Sequence, residues 1–235
     1  MPDIFQDSSR YFHISAFYAL SLPYYHMEHH THSSYEIMYI TSGSCRVFCL
    51  DGTQDTEFPL KSGQFIFIRP DVPHRLEIPD GFPCSILNLE FSLTPKKSPV
   101  ALELLLKKDP GFSQFWNFME ASQGFCSGAD SRSFGYSLKD LLTFLQQNSG
   151  QIQKEEFLFF LLFSRMLTEL AFCARSSRST QGIVYLKKAL CYIDEHYLED
   201  IDIPAISAYA GINKSYLQAL FTEKNGCTIN TYINR

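Results

Sequence analysis

A chain of 235 residues, 45% hydrophobic and 19% charged, has room for one large or two modest domains with a substantial core. Its net charge of −5 argues against a surface that grips nucleic acid everywhere, and an aromatic share of 15% points to large cores, a subunit interface or an aromatic-lined pocket. The seven cysteines form no CxxC pair and no even framework, which fits free thiols in a reducing cytosol, and the opening residues MPDIFQDSSRYF lack the basic flank and apolar core of a signal peptide.

From about Phe12 to Phe91 the pattern predicts strands. Tyr35–Thr41, Cys45–Leu50, Gln64–Ile68 and Cys84–Phe91 are short runs of β-branched and aromatic residues broken by Gly and Pro, and Asp51-Gly52 signals a hairpin. Such spacing implies a small barrel or sandwich. Within it, an extended backbone from His30 through Glu36 would put His30, His32 and Glu36 on one face. Gly43, Gly63 and Pro70-Asp71-Val72-Pro73-His74 follow. This arrangement resembles the two motifs of the cupin barrel, in which three His and one Glu converge on a metal. The first motif matches fully. The second is short between Pro and His and lacks its Gly. The resemblance implies His30, His32, Glu36 and His74 as an effector pocket and as ligands of a divalent metal, although these positions also serve related sensor domains as polar lining without metal. Three imidazoles and a carboxylate suit Zn, Ni, Fe or Mn. His26 and His29 read as surface residues, and Arg46, Arg69 and Arg75 as either anion contacts or a solvated strand face.

From Lys96 to about Gln181 helices are expected. Val100–Lys108 and Ser137–Gln147 are amphipathic, Phe112–Met119 carries the sole Trp116, and Gly124–Asp130 reads as a loop or edge strand. Lys154–Arg175 is apolar over most of its circumference, so it needs cover on more than one side. Its longest apolar run, Phe157–Phe163, is too short to span a membrane, and Arg165 and Glu169 follow closely. Ser176–Gly182 (SSRSTQG) reads as a polar linker.

The stretch Asp202–Gly226 predicts two short helices and a tight turn. Asp202 caps the first, Gly211-Ile212-Asn213 breaks it, Asn213 caps the second, and Gly226 ends it. Tyr216, Leu217, Leu220 and Phe221 share one face of the second helix, with Ser215, Gln218, Ala219 and Thr222 opposite and Lys214 at the start. An apolar back with a short polar front suits a helix-turn-helix in the major groove, although a plain helical hairpin fits the same pattern. Over residues 183–235, Lys187, Lys188, Lys214, Lys224 and Arg235 face Asp194, Glu195, Glu199, Asp200, Asp202 and Glu223, a balance of −1 that implies weak DNA affinity.

The series I193-x-x-H196-Y197, I201-x-I203-x-x-I206 and G211-I212-N213-K214-S215-Y216-L217-x-x-L220-F221, with G226 and Y232, resembles the AraC/XylS family of bacterial transcription regulators. Ser207 stands where that family usually has Ala, and Asn213 where it usually has Ser. The family's DNA-binding unit has two helix-turn-helix motifs joined by a long helix. The resemblance reaches the first motif only, with Arg235 about where the joining helix would begin, so a cut chain and a natural truncation are both open. It implies an α+β protein: a cupin-like effector-sensing β-barrel (1–95), a helical dimerisation region (96–176), a linker (177–182) and the first helix-turn-helix half (183–235). The expected function is a cytoplasmic, homodimeric, ligand-responsive DNA-binding regulator. It is not expected to be an enzyme, needs no cofactor beyond a possible barrel metal, and has no membrane partner. Asn213, Lys214, Ser215, Gln218, Ala219 and Thr222 are the candidate DNA contacts. The alternatives are a metal-dependent cupin enzyme, of dioxygenase or isomerase type, and a dimeric ligand-binding partner that no longer binds DNA.

Overall fold

The strand-forming residues of the first third pair into two antiparallel sheets, seen in a computed structural model that describes residues 11–51, 54–94, 108–113, 115, 124–148, 152–197, 199 and 201–234. The strands are β1 (Tyr11–Leu22), β2 (Tyr25–His26), β3 (Tyr35–Ser42), β4 (Ser44–Asp51), β5 (Gln54–Lys61), β6 (Gln64–Ile68), β7 (His74–Ile78), β8 (Cys84–Thr94) and β9 (Phe125–Ala129). One sheet has the order β1-β8-β3-β6-β9 and the other β2-β7-β4-β5. The chain divides into two compact units, residues 1–175 and 176–235.

In the first unit, strict alternation along β3 sorts side chains between two cores. Met38 and Ile40 enter the space between the sheets with Val47, Cys49, Ile66, Ile68, Leu76, Ile78 and Ile86. Ile37 turns the other way, onto a larger cluster with Phe65, Phe67, Leu89 and Phe91. That second face is covered by helix α1 (Phe134–Gln147) through Phe134, Leu138, Leu141 and Leu145, and by Phe163, Met166, Leu167 and Leu170 of helix α2 (Glu156–His196). Because β6 is covered on both faces, its QFIFI run is continuously apolar rather than alternating. Each Phe fully buried here stabilises the unit by about 1.5–3 kcal/mol. Gly43, between β3 and β4, has φ +76°, and a Cβ there would lie 1.9 Å from the Pro83 carbonyl oxygen. Only glycine fits that turn.

Asp130 organises the entry to α1. Its carboxylate accepts from the amides of Arg132, Phe134 and Gly135 (3.0, 3.2 and 2.8 Å) and from the Tyr39 hydroxyl (3.2 Å). Burial opposes its charge, but those donors outweigh it and hold the carboxyl below its ordinary value.

Three expectations are revised. Ser176–Gly182 is helical, because α2 runs unbroken from Glu156 to His196. Ser, Thr and Gln tolerate a helix, and without Pro the lone Gly182 costs only about 1 kcal/mol. Gly124–Asp130 contributes a true strand, β9, paired with β6 from Gln64↔Ala129 to Ile68↔Phe125. Glu156–Ser177 is also long and apolar enough to cross a membrane, with a mean hydropathy of 1.8. Its apolarity serves packing on one side, where Phe163, Met166, Leu167 and Leu170 sit in the core, while Arg165 pairs with Asp140 and Arg132 with Glu169. The expected helix at Val100–Lys108 and the sole Trp116 lie outside the described residues, apart from Lys108 itself.

The second unit follows its local signals closely. Helix α3 spans Ile203–Ala210, α4 Lys214–Asn225 and α5 Ile229–Ile233. Asp202 accepts from the Ala205 amide at 2.7 Å, and Asn213 from the Tyr216 amide at 2.8 Å, each satisfying a donor left open at a helix start. Gly211 and Gly226 end α3 and α4 in the left-handed conformation. Ile193, Ile203, Ile206, Ala210, Leu217, Phe221 and Ile229 form a small separate core.

Candidate functional site

His30, His32, Glu36 and His74 meet at one end of the space between the sheets, with ligand atoms all within 4.8 Å of one another. They do not arrive as the alternation argument predicts. The strand begins only at Tyr35, and residues 31–34 are irregular. His30 is placed instead by a two-way backbone bridge with His74 (His30 N to His74 O and His74 N to His30 O, both 3.0 Å). The turn carrying His32 is tied to the β6–β7 loop by the Asp71 amide donating to the His32 carbonyl at 2.9 Å. Although the second motif is short and lacks its Gly, His74 still reaches the cluster, as the first residue of β7.

The hydrogen bonds fix which ring nitrogens face inward. Nδ1 of His74 lies 2.8 Å from the Val72 carbonyl, and Nδ1 of His32 lies 3.0 Å from the Ser34 carbonyl. A carbonyl only accepts, so both Nδ1 atoms carry protons, and each neutral ring presents the lone pair of Nε2. Those Nε2 atoms converge on Glu36 Oε2, at 3.1 Å from His32 and 2.7 Å from His74. His74 Nε2 sits at an ion-pair distance from the carboxylate but finds no aligned hydrogen-bond partner among the described residues. Lone pairs and a carboxylate at such distances need a shared positive charge between them, either protons on the rings or a metal ion. Imidazoles oriented through their outer N–H groups by carbonyls are the usual support of metal-ligating histidines. The donor set therefore fits a divalent first-row ion.

Charge in the site is strongly coupled. Burial would raise the Glu36 carboxyl, but the His32 and His74 rings overcome that and hold it down at about 2. The bond to Glu36 raises the His32 ring above its ordinary value, whereas burial and the neighbouring His74 lower the His30 ring.

Three neighbours escape motif reading. Glu90 Oε2 is 4.0 Å from His32 Nε2, and burial and then Glu36 push its carboxyl upward. Burial, Glu36 and Glu90 raise the Tyr18 hydroxyl. Asn88 is fully buried, with both amide atoms unpartnered among the described residues. The available signal was alternation in Cys84–Phe91, which puts Asn88 and Glu90 in line with the inward-facing Ile86.

The other basic candidates behave as an outer strand face. Arg46 pairs with Glu77 at 2.9 Å, and Arg75 pairs with Asp55 and Glu77 and lies over the Phe48 ring. His26 pairs with Glu28 and Glu77, and His29 with Asp55. In the second unit, Asn213, Lys214, Ser215, Gln218, Ala219 and Thr222 are all exposed, while Leu217, Leu220 and Phe221 are buried.

The chain is 24% identical over 213 residues to YbfI, an uncharacterised HTH-type transcriptional regulator of Bacillus subtilis, covering 87% of this chain and 68% of YbfI. ToxT from Vibrio cholerae is similar over 95% of this chain and 79% of its own, at 14% identity with a TM-score of 0.39. The AraC-like transcriptional activator CuxR is similar over 87% and 65%, at 17% identity with a TM-score of 0.33. The AraC-like ligand-binding domain matches residues 13–162, and the chain belongs to that family.

Proposed function

We propose that this chain is a ligand-responsive transcription regulator, in which the barrel site biases how a pair of helix-turn-helix units meets DNA. The observation that carries the reading is the division of α4. Its apolar back is fixed in a core, and its small polar front of Ser215, Gln218, Ala219 and Thr222 is exposed. The Asn213 cap leaves a helix N-terminus, with Lys214 beside it, free to face a phosphate. Gln218 suits bidentate contact with adenine. The similarity to YbfI, named as an HTH-type transcriptional regulator, supports the same reading.

In the barrel, His30, His32, Glu36 and His74 would hold a divalent ion. Such an ion would supply Lewis acidity toward an effector oxygen or nitrogen. The chain's own residues orient the donors: the Val72 and Ser34 carbonyls lock two imidazoles, and the bridge between His30 and His74 holds two separated segments together. The partner on the other side is a second copy. Phe157, Leu158, Leu161 and Phe172 of α2 are 67%, 43%, 47% and 41% exposed, an apolar strip along the helix that a homodimer would cover. An effector acts by differing affinity for two arrangements of the pair, which shifts their populations.

Selection from a pool of random duplexes tests this. An enriched sequence is expected with the purified protein, and no enrichment at any ion or salt concentration contradicts it. The histidine cluster favours a second reading, a metal-dependent cupin enzyme. Turnover of a substrate by the ion-loaded protein, lost in His74→Gln, would select that reading instead.

A further inference from the structure

The strand register places two carboxylates side by side. Glu36 on β3 is the cross-strand partner of Glu90 on β8. Paired residues of neighbouring antiparallel strands project to the same face, and like charges directly opposite destabilise a sheet. On its other flank Glu90 meets Ala16 of β1, which carries no charge. Glu36 is 4% exposed, so solvent does little to separate the two charges. Among the described residues the ion-pair partners of Glu36 are His32 and His74, and that of Glu90 is His32, with no Lys or Arg. An imidazole is not a fixed cation as a Lys or Arg side chain is, so these partners supply no standing positive charge to offset two carboxylates.

We propose that Glu90 is the second carboxylate of the barrel ion site, so that a divalent ion there is balanced by Glu36 and Glu90 together. This rests on the reading of the cluster as an ion site. Glu90, whose carboxylate lies 4.0 Å from His32 Nε2, would add a second carboxylate to the four residues whose ligand atoms lie within 4.8 Å of one another, and a set of nitrogen and oxygen donors suits Mn, Fe, Ni or Zn as divalent ions. This role also gives Glu90 opposite effects in the two states. Without the ion it is a repulsive neighbour of Glu36. With the ion it is a favourable one.

Glu90→Gln keeps the size and removes the charge. Zn2+ and Mn2+ affinities by titration calorimetry, and melting temperatures of stripped and loaded protein, give the test. Stripped Glu90→Gln should melt above stripped wild type, its affinity for the ion should fall about 10–100-fold, and the ion-induced rise in melting temperature should shrink. Glu77→Gln, which removes a carboxylate paired with Arg46 and Arg75 on the outer strand face, should leave ion affinity unchanged. Glu90→Ala guards against a fault specific to glutamine and should show the same fall in affinity. Equal ion affinity in wild type and both Glu90 variants overturns the proposal while leaving the four-residue site intact. A stripped variant that melts below wild type with unchanged ion affinity also overturns it, by making Glu90 purely structural. Failure of wild type to bind either ion would remove the ion site itself.

Discussion

In the barrel, the side chains of the proposed ion site, Glu90 included, come from three separated stretches and face inward, where burial and neighbouring charge act on them. In the C-terminal unit, the proposed DNA contacts Lys214, Ser215, Gln218, Ala219 and Thr222 come from one twelve-residue helix and face outward, where each acts almost alone. The difference teaches where coupling lies. His32, Glu36, His74 and Glu90 respond as a group, so removing one should change the others. Gln218 and Ser215 sit on a solvated face, so their removal should alter what the protein reads without altering how it folds.

The sharpest way to break this contrast is through the two cores. Phe221→Ala should destabilise the C-terminal unit by about 3–5 kcal/mol, the range for a buried Phe lost from a core. Denaturant unfolding followed by the fluorescence of a label on α5 should show that loss, while ion affinity of the barrel stays at the wild-type value. A parallel fall in ion affinity would show the two units to be one cooperative body.

The next effect belongs to Glu36. Its folded value of about 2 lies below its unfolded value of 4.5, so its contribution is complete above the unfolded value and is lost as pH falls through the folded one. The 2.5-unit difference corresponds to roughly 3 kcal/mol between pH 5 and pH 2. Glu36→Gln should flatten that part of the acid-unfolding curve, and an unchanged curve would mean the histidines do not stabilise the carboxylate.

Smaller effects sharpen the outward-facing half. Gln218→Ala should cost about 1–3 kcal/mol of discrimination at one base pair, read by comparing binding to a set of single-base duplex variants. Uniform weakening across all variants would assign Gln218 to the backbone rather than to a base. Asn213→Ala should cost about 1 kcal/mol of stability in the C-terminal unit through the lost cap. A null result by thermal melting would mean another group satisfies the Tyr216 amide.

The legibility of the sequence follows the same divide. Helices α3 and α4 were readable because their caps, stops and apolar backs are all local: Asp202, Asn213, Gly211, Gly226 and the Leu217–Phe221 face lie within one turn or two of what they control. The β-rich first third and the mixed α+β class were readable from alternation and turns. The extended backbone expected from His30 through Glu36 begins only at Tyr35, because His30 and His32 are placed by the bridge to His74 and the turn before Tyr35, which no spacing reports. Glu90, Asn88 and Tyr18 match no motif, and a polar residue at an inward strand position is tied to a site only by its partner strand, as Glu90 is to Glu36. The SSRSTQG segment misled because polar composition resembles a linker, while nothing in it prevents a helix from continuing.

Under the proposed function, occupancy of the barrel site governs how the outward face of α4 meets DNA. The most direct test follows the binding of the full chain to its selected duplex by fluorescence anisotropy, with and without saturating Zn2+ or Mn2+, for wild type and for Glu36→Gln. The account predicts an ion-dependent change in DNA affinity for wild type that disappears in Glu36→Gln. DNA affinity that ignores the ion in wild type, or responds equally in both proteins, would contradict it.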